Sequence, residues 1–357
     1  MTAAMASIAA PVTHSPLRLT ADSAALAANW RWLARASGGA ACGAAIKANA
    51  YGLGAVEAAK RLREAGCRDF FVATWAEAEE VLPAIGDASL SVLHGFATED
   101  LERALASSAR PVLNTVRQVR AWREAGQGRP CDVMIDTGIN RLGLSADDVA
   151  KGLLDGLAIA TLMSHLACAD EDHPLNARQL AAFRGVAGRA GARRMSLANS
   201  AGICLGADYA FDLTRPGLAL YGGVPRAEAA GRITQVARIE AQVVQRRRIE
   251  AGDSVGYNAT FIAERPMELA ILNIGYADGY LRGFSNSGTA SIGGASAPVV
   301  GRVSMDLAAV AVDAAPEVGE GDWVTLDFDL PRAARQSGLS QYELLTVLGR
   351  RYQRRWT

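Results

Sequence analysis

A lysine, Lys47, closes the short apolar run 42–46, and Tyr51 follows beside two glycines, Gly52 and Gly54. An ammonium at the end of a buried strand needs compensation. A desolvated lysine is a weaker base, and its free amine can form a Schiff base with a carbonyl. A side chain snorkelling to water would explain Lys47 alone. It would not explain the residues that end the strands after it: His94, Asn114, Asp136 with Arg141, His165, Asn199-Ser200 and Arg215. A parallel barrel builds its active site from those positions. The turns 199–202 (Asn-Ser-Ala-Gly) and 215–218 (Arg-Pro-Gly-Leu) offer a hydroxyl and backbone N–H groups of the kind that hold a phosphate. Ser200 could equally cap a helix over 201–205. A strand-end lysine across the mouth from a phosphate cradle after the seventh and eighth strands suits pyridoxal phosphate.

Regular elements must carry those residues. A helix is expected over 22–37, capped by Asp22, with Leu26, Trp30 and Leu33 on one face and Gly38-Gly39 at its end. Strands are expected over 42–47, 69–73, 89–94, 111–114, 131–136, 157–165, 194–198 and 210–214. Amphipathic helices are expected over 55–65, 75–82, 98–106, 115–125, 146–154 and 177–190. This succession predicts an α/β fold, a (β/α)8 TIM-like barrel, in preference to a doubly wound sheet. After Gly222-Gly223 come short β runs at 235–250, 268–274, 289–293, 297–303, 307–312 and 322–327, then a helix over 341–348. They predict a mainly antiparallel β domain. The expected division is a disordered leader over 1–16, the barrel over 17–230 and the β domain over 231–357.

Composition excludes several classes. The 357 residues carry 37 Lys+Arg against 37 Asp+Glu, so no basic field invites nucleic acid or an anionic membrane. The basic segment 350–356 reads as a solvated or subunit-packing tail, and no apolar run reaches membrane-span length. Five scattered cysteines without a Cys-x-x-Cys, and a leader without the features of a secretory signal, predict a reduced, cytoplasmic protein. Gly52-Leu53-Gly54 lacks the third glycine of a dinucleotide fingerprint, and Ser200 has no nucleophile elbow around it. Asp170, Glu171 and Asp172, between His165 and His173, read as an acidic loop, and no metal is expected.

Six segments together carry a family resemblance. They are 45–52 (Ala-Ile-Lys-Ala-Asn-Ala-Tyr-Gly), 136–143 (Asp-Thr-Gly-Ile-Asn-Arg-Leu-Gly), 215–222 (Arg-Pro-Gly-Leu-Ala-Leu-Tyr-Gly), 255–257 (Val-Gly-Tyr), 274–279 (Ile-Gly-Tyr-Ala-Asp-Gly) and 301–306 (Gly-Arg-Val-Ser-Met-Asp). In this order and spacing the chain resembles the bacterial alanine racemases, from about residue 17 onward. The resemblance implies that Lys47 binds pyridoxal phosphate and acts as the base on the D-face of alanine. Tyr257 from the partner subunit of a head-to-tail homodimer would be the base on the L-face. Tyr51, Ser200, Tyr342 and the backbone at Gly217 and Leu218 would hold the phosphate. Arg215 would meet the pyridine nitrogen with His165 behind it. Arg141 would reach the cofactor's phenolic oxygen and the substrate carboxylate, aided by the backbone at Met305. The implied product is D-alanine for peptidoglycan.

A cation at the ring nitrogen makes the ring a weaker electron sink, which favours racemisation over decarboxylation. The rivals are a barrel-type amino-acid decarboxylase, a non-catalytic pyridoxal phosphate carrier, and a racemase of broader range such as serine. Side-chain selection would fall to Leu93, Tyr276 and Tyr342. Two positions depart from the family pattern: Leu53 stands where relatives commonly have histidine, and Met134 where many carry a lysine, often carbamylated, beside Arg141.

Overall fold

The computed structural model describes residues 14–357, which fall into two compact units. One comprises Asp22–Ala237 with Gln341–Thr346 and Trp356–Thr357. The other holds the N-terminal segment to Ala21, Arg238–Ser340 and Val347–Arg355.

The first unit is the parallel barrel. Ala44–Ala45, Asp69–Val72, Ser89–Val92, Arg110–Leu113, Cys131–Met134, Ile159–Met163 and Arg194–Ser196 pair in that order, all parallel. The eighth strand, Leu213–Thr214, pairs with Ala41–Cys42. It closes the ring: the Asp212 and Arg215 N–H groups donate to Met195 and Ala198, while those of Ala41 and Gly43 donate to Asp212 and Thr214. The first strand is shorter than expected and breaks at Gly43, where a Cβ would stand 2.8 Å from the Asp69 carbonyl.

The interior is layered, as barrels of this kind are. Near the C-terminal ends, Ala45, Phe71, Val112, Met134, Met163 and Leu213 form an apolar cluster on which Leu93 packs. A polar layer is built from residues at or near the strand starts. Asp132 accepts from Ser91 at 2.6 Å and from Arg110 at 3.3 Å. Asp69 accepts from Ser89 at 2.7 Å and from Arg194 at 2.6 Å.

The second unit is antiparallel. Met267–Leu272, Ala308–Ala311, Ala295–Val300, Thr289–Ile292, Trp323–Leu326 and Ala237–Ile249 form a closed ring, because the last strand pairs back with the first. Leu17–Ala21 and then Gln353–Trp356 extend the sheet from Ala237–Ile249.

Three features depart from expectation. Residues 1–13 of the expected leader lie outside the described residues, and Ser15 is buried, its hydroxyl donating to the Arg351 carbonyl and accepting from Leu17 N–H. Leu17–Ala21 is a strand of the β unit and not the start of the barrel. The helix Gln341–Thr346 belongs to the barrel unit, because the Gln341 amide exchanges two hydrogen bonds of 2.9 Å with the backbone of Val224. Among the described residues no helix is long and apolar enough to cross a membrane.

Candidate active site

The first strand hands over to a turn that ordinary L-residues avoid. Ala48, Asn49, Ala50 and Tyr51 take φ of 51°, 55°, 51° and 55°. Each such residue costs roughly 1–2 kcal/mol, so the turn must be held from outside. The Asn49 side chain accepts from Ala55 N–H at 2.8 Å, Tyr51 stacks on Tyr221 with centroids 4.8 Å apart, and Gly52 ends the turn at φ 88°. Lys47 opens this turn and lines a cavity of about 900 Å³. Its ammonium is held below the usual lysine range, first by burial and then by Arg141 and Arg215, with Glu77 opposing.

Across the cavity lies the cradle. The Ser200 hydroxyl accepts from the N–H groups of Gly217 at 2.9 Å and Ala219 at 3.2 Å, so it organises the turn after the eighth strand. It does not cap its own helix: Asn199 caps Ser200–Cys204 by accepting from Gly202 N–H at 2.8 Å. Position 217 requires glycine, since a Cβ there would stand 2.2 Å from the Tyr51 hydroxyl oxygen. Tyr51 is buried, which keeps its phenol protonated, and Tyr342 lies 6.2 Å from it, ring to ring.

The remaining wall is cationic. Arg215 is buried, and its guanidinium donates to the Ser164 carbonyl at 2.5 Å and to the Ser196 hydroxyl. Burial brings it down to about 10. His165 is pushed down to about 3 by burial, then by Arg215, Arg141 and Lys47, and is neutral at any working pH. Arg141 also lines the cavity, on a loop fixed by Asp136, whose carboxylate accepts from the N–H groups of Gly138, Asn140 and Arg141 at 2.8–3.1 Å. Burial alone would raise the Asp136 carboxyl, but those bonds bring it below the usual range. Met134 sits in the apolar cluster and lines the cavity, so the position of the family's lysine is apolar here.

Lys47, Tyr51, Leu93, His94, Arg141, His165, Asn199, Ser200, Arg215, Gly217, Leu218 and Tyr342 thus share one cavity. Asn114 does not join them: its amide donates to the carbonyls of Leu93 and Val112. Asp136 serves the backbone. His173 caps the helix Pro174–Ala187, and Asp172 pairs with Arg226 at 2.5 Å, as an acidic loop would. Sequence reading missed Glu77, the one carboxylate on the cavity wall among the described residues. A glutamate three residues after a helix-capping threonine looks like an ordinary capping pair.

Tyr257, Met305 and Tyr276 belong to the β unit. Tyr257 and Met305 are 65 % and 54 % exposed. They sit on adjoining loops, for a Cβ at Gly301 would stand 2.4 Å from the Val255 carbonyl and one at Gly256 3.1 Å from the Arg302 nitrogen.

Two arginines, one carboxylate, a lysine of lowered basicity and a cradle that tolerates no side chain fit a phosphorylated aldehyde. A closed parallel barrel bearing that set at its C-terminal rim is the architecture of a barrel-type pyridoxal phosphate enzyme. Comparison with known proteins narrows the class. Residues 21–225 match the alanine racemase N-terminal domain and residues 236–356 the alanine racemase C-terminal domain. Alanine racemases of Methylobacterium nodulans and Rhodospirillum rubrum are each 42 % identical, over 95 % of this chain and 95 % of their own. The crystal structure of alanine racemase from Bartonella henselae with covalently bound pyridoxal phosphate superposes with a TM-score of 0.90 at 38 % identity, covering 96 % of this chain and all of that one. The chain belongs to the alanine racemase family.

Proposed function

We propose that the protein interconverts L- and D-alanine with pyridoxal phosphate, as a homodimer whose sites are shared between subunits. The observation that carries this reading is the Lys47 amine on the wall of a cavity that also holds the Ser200–Gly217 cradle and two arginines. The family membership supports the same substrate.

Racemisation removes the Cα proton from one face and returns one to the other, so two bases must flank that carbon. Lys47, its ammonium destabilised by burial, takes or returns the proton on the D-face. Tyr257 of the partner subunit does so on the L-face. Its exposure, with that of Ile262, Met305 and Leu307, supports a role completed by a second copy of the chain. Tyr51, Ser200, Tyr342 and the backbone at Gly217 and Leu218 hold the phosphate. Arg141 and the Met305 backbone bind the substrate carboxylate. Bound in this cavity, pyridoxal phosphate draws electrons from the substrate and acidifies its Cα–H bond. Arg215 presents a cation to the ring nitrogen and so leaves it without a proton, with neutral His165 behind.

Serine and larger side chains are disfavoured by the apolar wall of Leu93 and Met134. The product serves as a D-alanine building block of peptidoglycan. A reduced, cytoplasmic setting accords with five cysteines, none of them in a disulfide. A chiral assay of the purified protein with alanine, serine, lysine and arginine tests the reading. Racemic alanine from either enantiomer is the expected result; carbon dioxide release, or no change of configuration, would reject it.

A further inference from the structure

We propose that Glu77 is a positioning residue for the Lys47 amine, its carboxylate clamping the left-handed turn to the end of the second barrel strand. The proposal rests on Lys47 being the cofactor anchor. Glu77 lies in the first turn of the helix Trp75–Ile85. One carboxylate oxygen does a capping glutamate's ordinary work, accepting from the N–H groups of Thr74 at 3.2 Å and Ala73 at 2.7 Å. The other oxygen leaves the helix and accepts from Ala48 N–H at 2.6 Å, across 29 positions of sequence.

That N–H belongs to the peptide plane that also contains the Cα of Lys47. The preceding plane is held by the Ile46 carbonyl, which accepts from Ala50 N–H at 2.8 Å, so fixing this one sets the direction in which the lysine side chain leaves the backbone. The need is specific to this place, because Ala48 begins the run of four positive φ angles. A charge-assisted bond is about twice as strong as a neutral one, which suits a turn that would otherwise relax. Among the described residues the same carboxylate is the only anion lining the cavity, and its charge opposes the effect of Arg141 and Arg215 on Lys47. Glu77 therefore both aims the lysine and offsets part of the positive field around it.

Three holoenzyme variants separate this role from helix capping. Glu77→Gln is isosteric but replaces one acceptor oxygen with a donor; Glu77→Ala removes both. Thr74→Ala removes the other half of the capping box, the Thr74 hydroxyl that accepts from Glu77 N–H at 3.3 Å, and leaves the bond to Ala48 intact. Two quantities are read: the rate at which bound pyridoxal phosphate is lost on dialysis, and solvent exchange of the Cα proton of D- and of L-alanine. Both Glu77 variants are expected to lose cofactor at least about tenfold faster than Thr74→Ala. They should also slow D-alanine exchange, on the Lys47 face, at least about tenfold more than L-alanine exchange. Cofactor loss from Thr74→Ala as fast as from Glu77→Ala, or equal slowing of the two enantiomers, would overturn the proposal. If the parent protein exchanges neither enantiomer, the racemase reading fails, and cofactor retention alone decides the role of Glu77.

Discussion

The chemistry of the site rests on a few side chains whose surroundings set their protonation. Lys47 is drawn toward the free amine by burial and two arginines, and His165 is kept neutral by the same neighbours. Replacing Lys47 with alanine is expected to abolish the visible absorbance band of the lysine-bound cofactor, and an absorbance spectrum after incubation with pyridoxal phosphate checks it. At Gly217 even a methyl group would stand 2.2 Å from the Tyr51 hydroxyl oxygen. Gly217→Ala should therefore weaken cofactor binding at least about tenfold, or ~1.4 kcal/mol, measured by titrating cofactor-stripped protein. For Tyr257→Phe, solvent exchange of the L-alanine Cα proton should slow by roughly a hundredfold or more, and that of D-alanine far less. Most of these residues were legible because each ends an apolar run or sits in a glycine-marked turn. Glu77 was not, because what distinguishes it is a bond to a residue distant in sequence.

At the level of elements, apolar runs separated by helical patterns were enough to expose the barrel. What they hid was decided by long-range contacts or backbone strain. Leu17–Ala21 is a strand because it completes a sheet with Ala237–Ile249 and Gln353–Trp356. Gln353–Trp356 looked like a basic tail because an edge strand can carry charge. The helix Leu330–Ser337 was overlooked although Asp329 caps it, proline lies in its first turn and Gly338 ends it at φ 71°. The left-handed turn 48–51 could not be read at all, since of its four residues only asparagine favours that conformation.

The polar layer of the barrel carries a prediction of its own. Burial would raise the Asp69 carboxyl, but bonds from Arg194 and Ser89 outweigh it and hold it below the usual range. A depressed folded value means stability that is present above the unfolded pKa and is lost as pH falls through the folded one. Arg194→Leu should cost roughly 2–4 kcal/mol at pH 7 by leaving Asp69 buried without its cation. The deficit should shrink as pH falls, because burial raises the orphaned carboxyl and it takes a proton at a higher pH than Asp69 of the parent protein does. Urea unfolding of both proteins at several pH values measures it.

At the scale of the whole molecule, the barrel unit holds the lysine, the cradle and the arginines, while Tyr257 and Met305 stand exposed on adjoining loops of the β unit. A racemase needs both sets at one carbon, and the proposed homodimer brings them together from two chains. The most direct measurement mixes two inactive variants, Lys47→Ala and Tyr257→Phe, under conditions that exchange subunits, and follows alanine racemisation. In a mixed dimer one site has both bases and the other has neither. Activity should therefore return to about a quarter of the parent level at equal proportions. A mixture that exchanges subunits yet stays as inactive as its components would contradict a site shared between two copies of the chain.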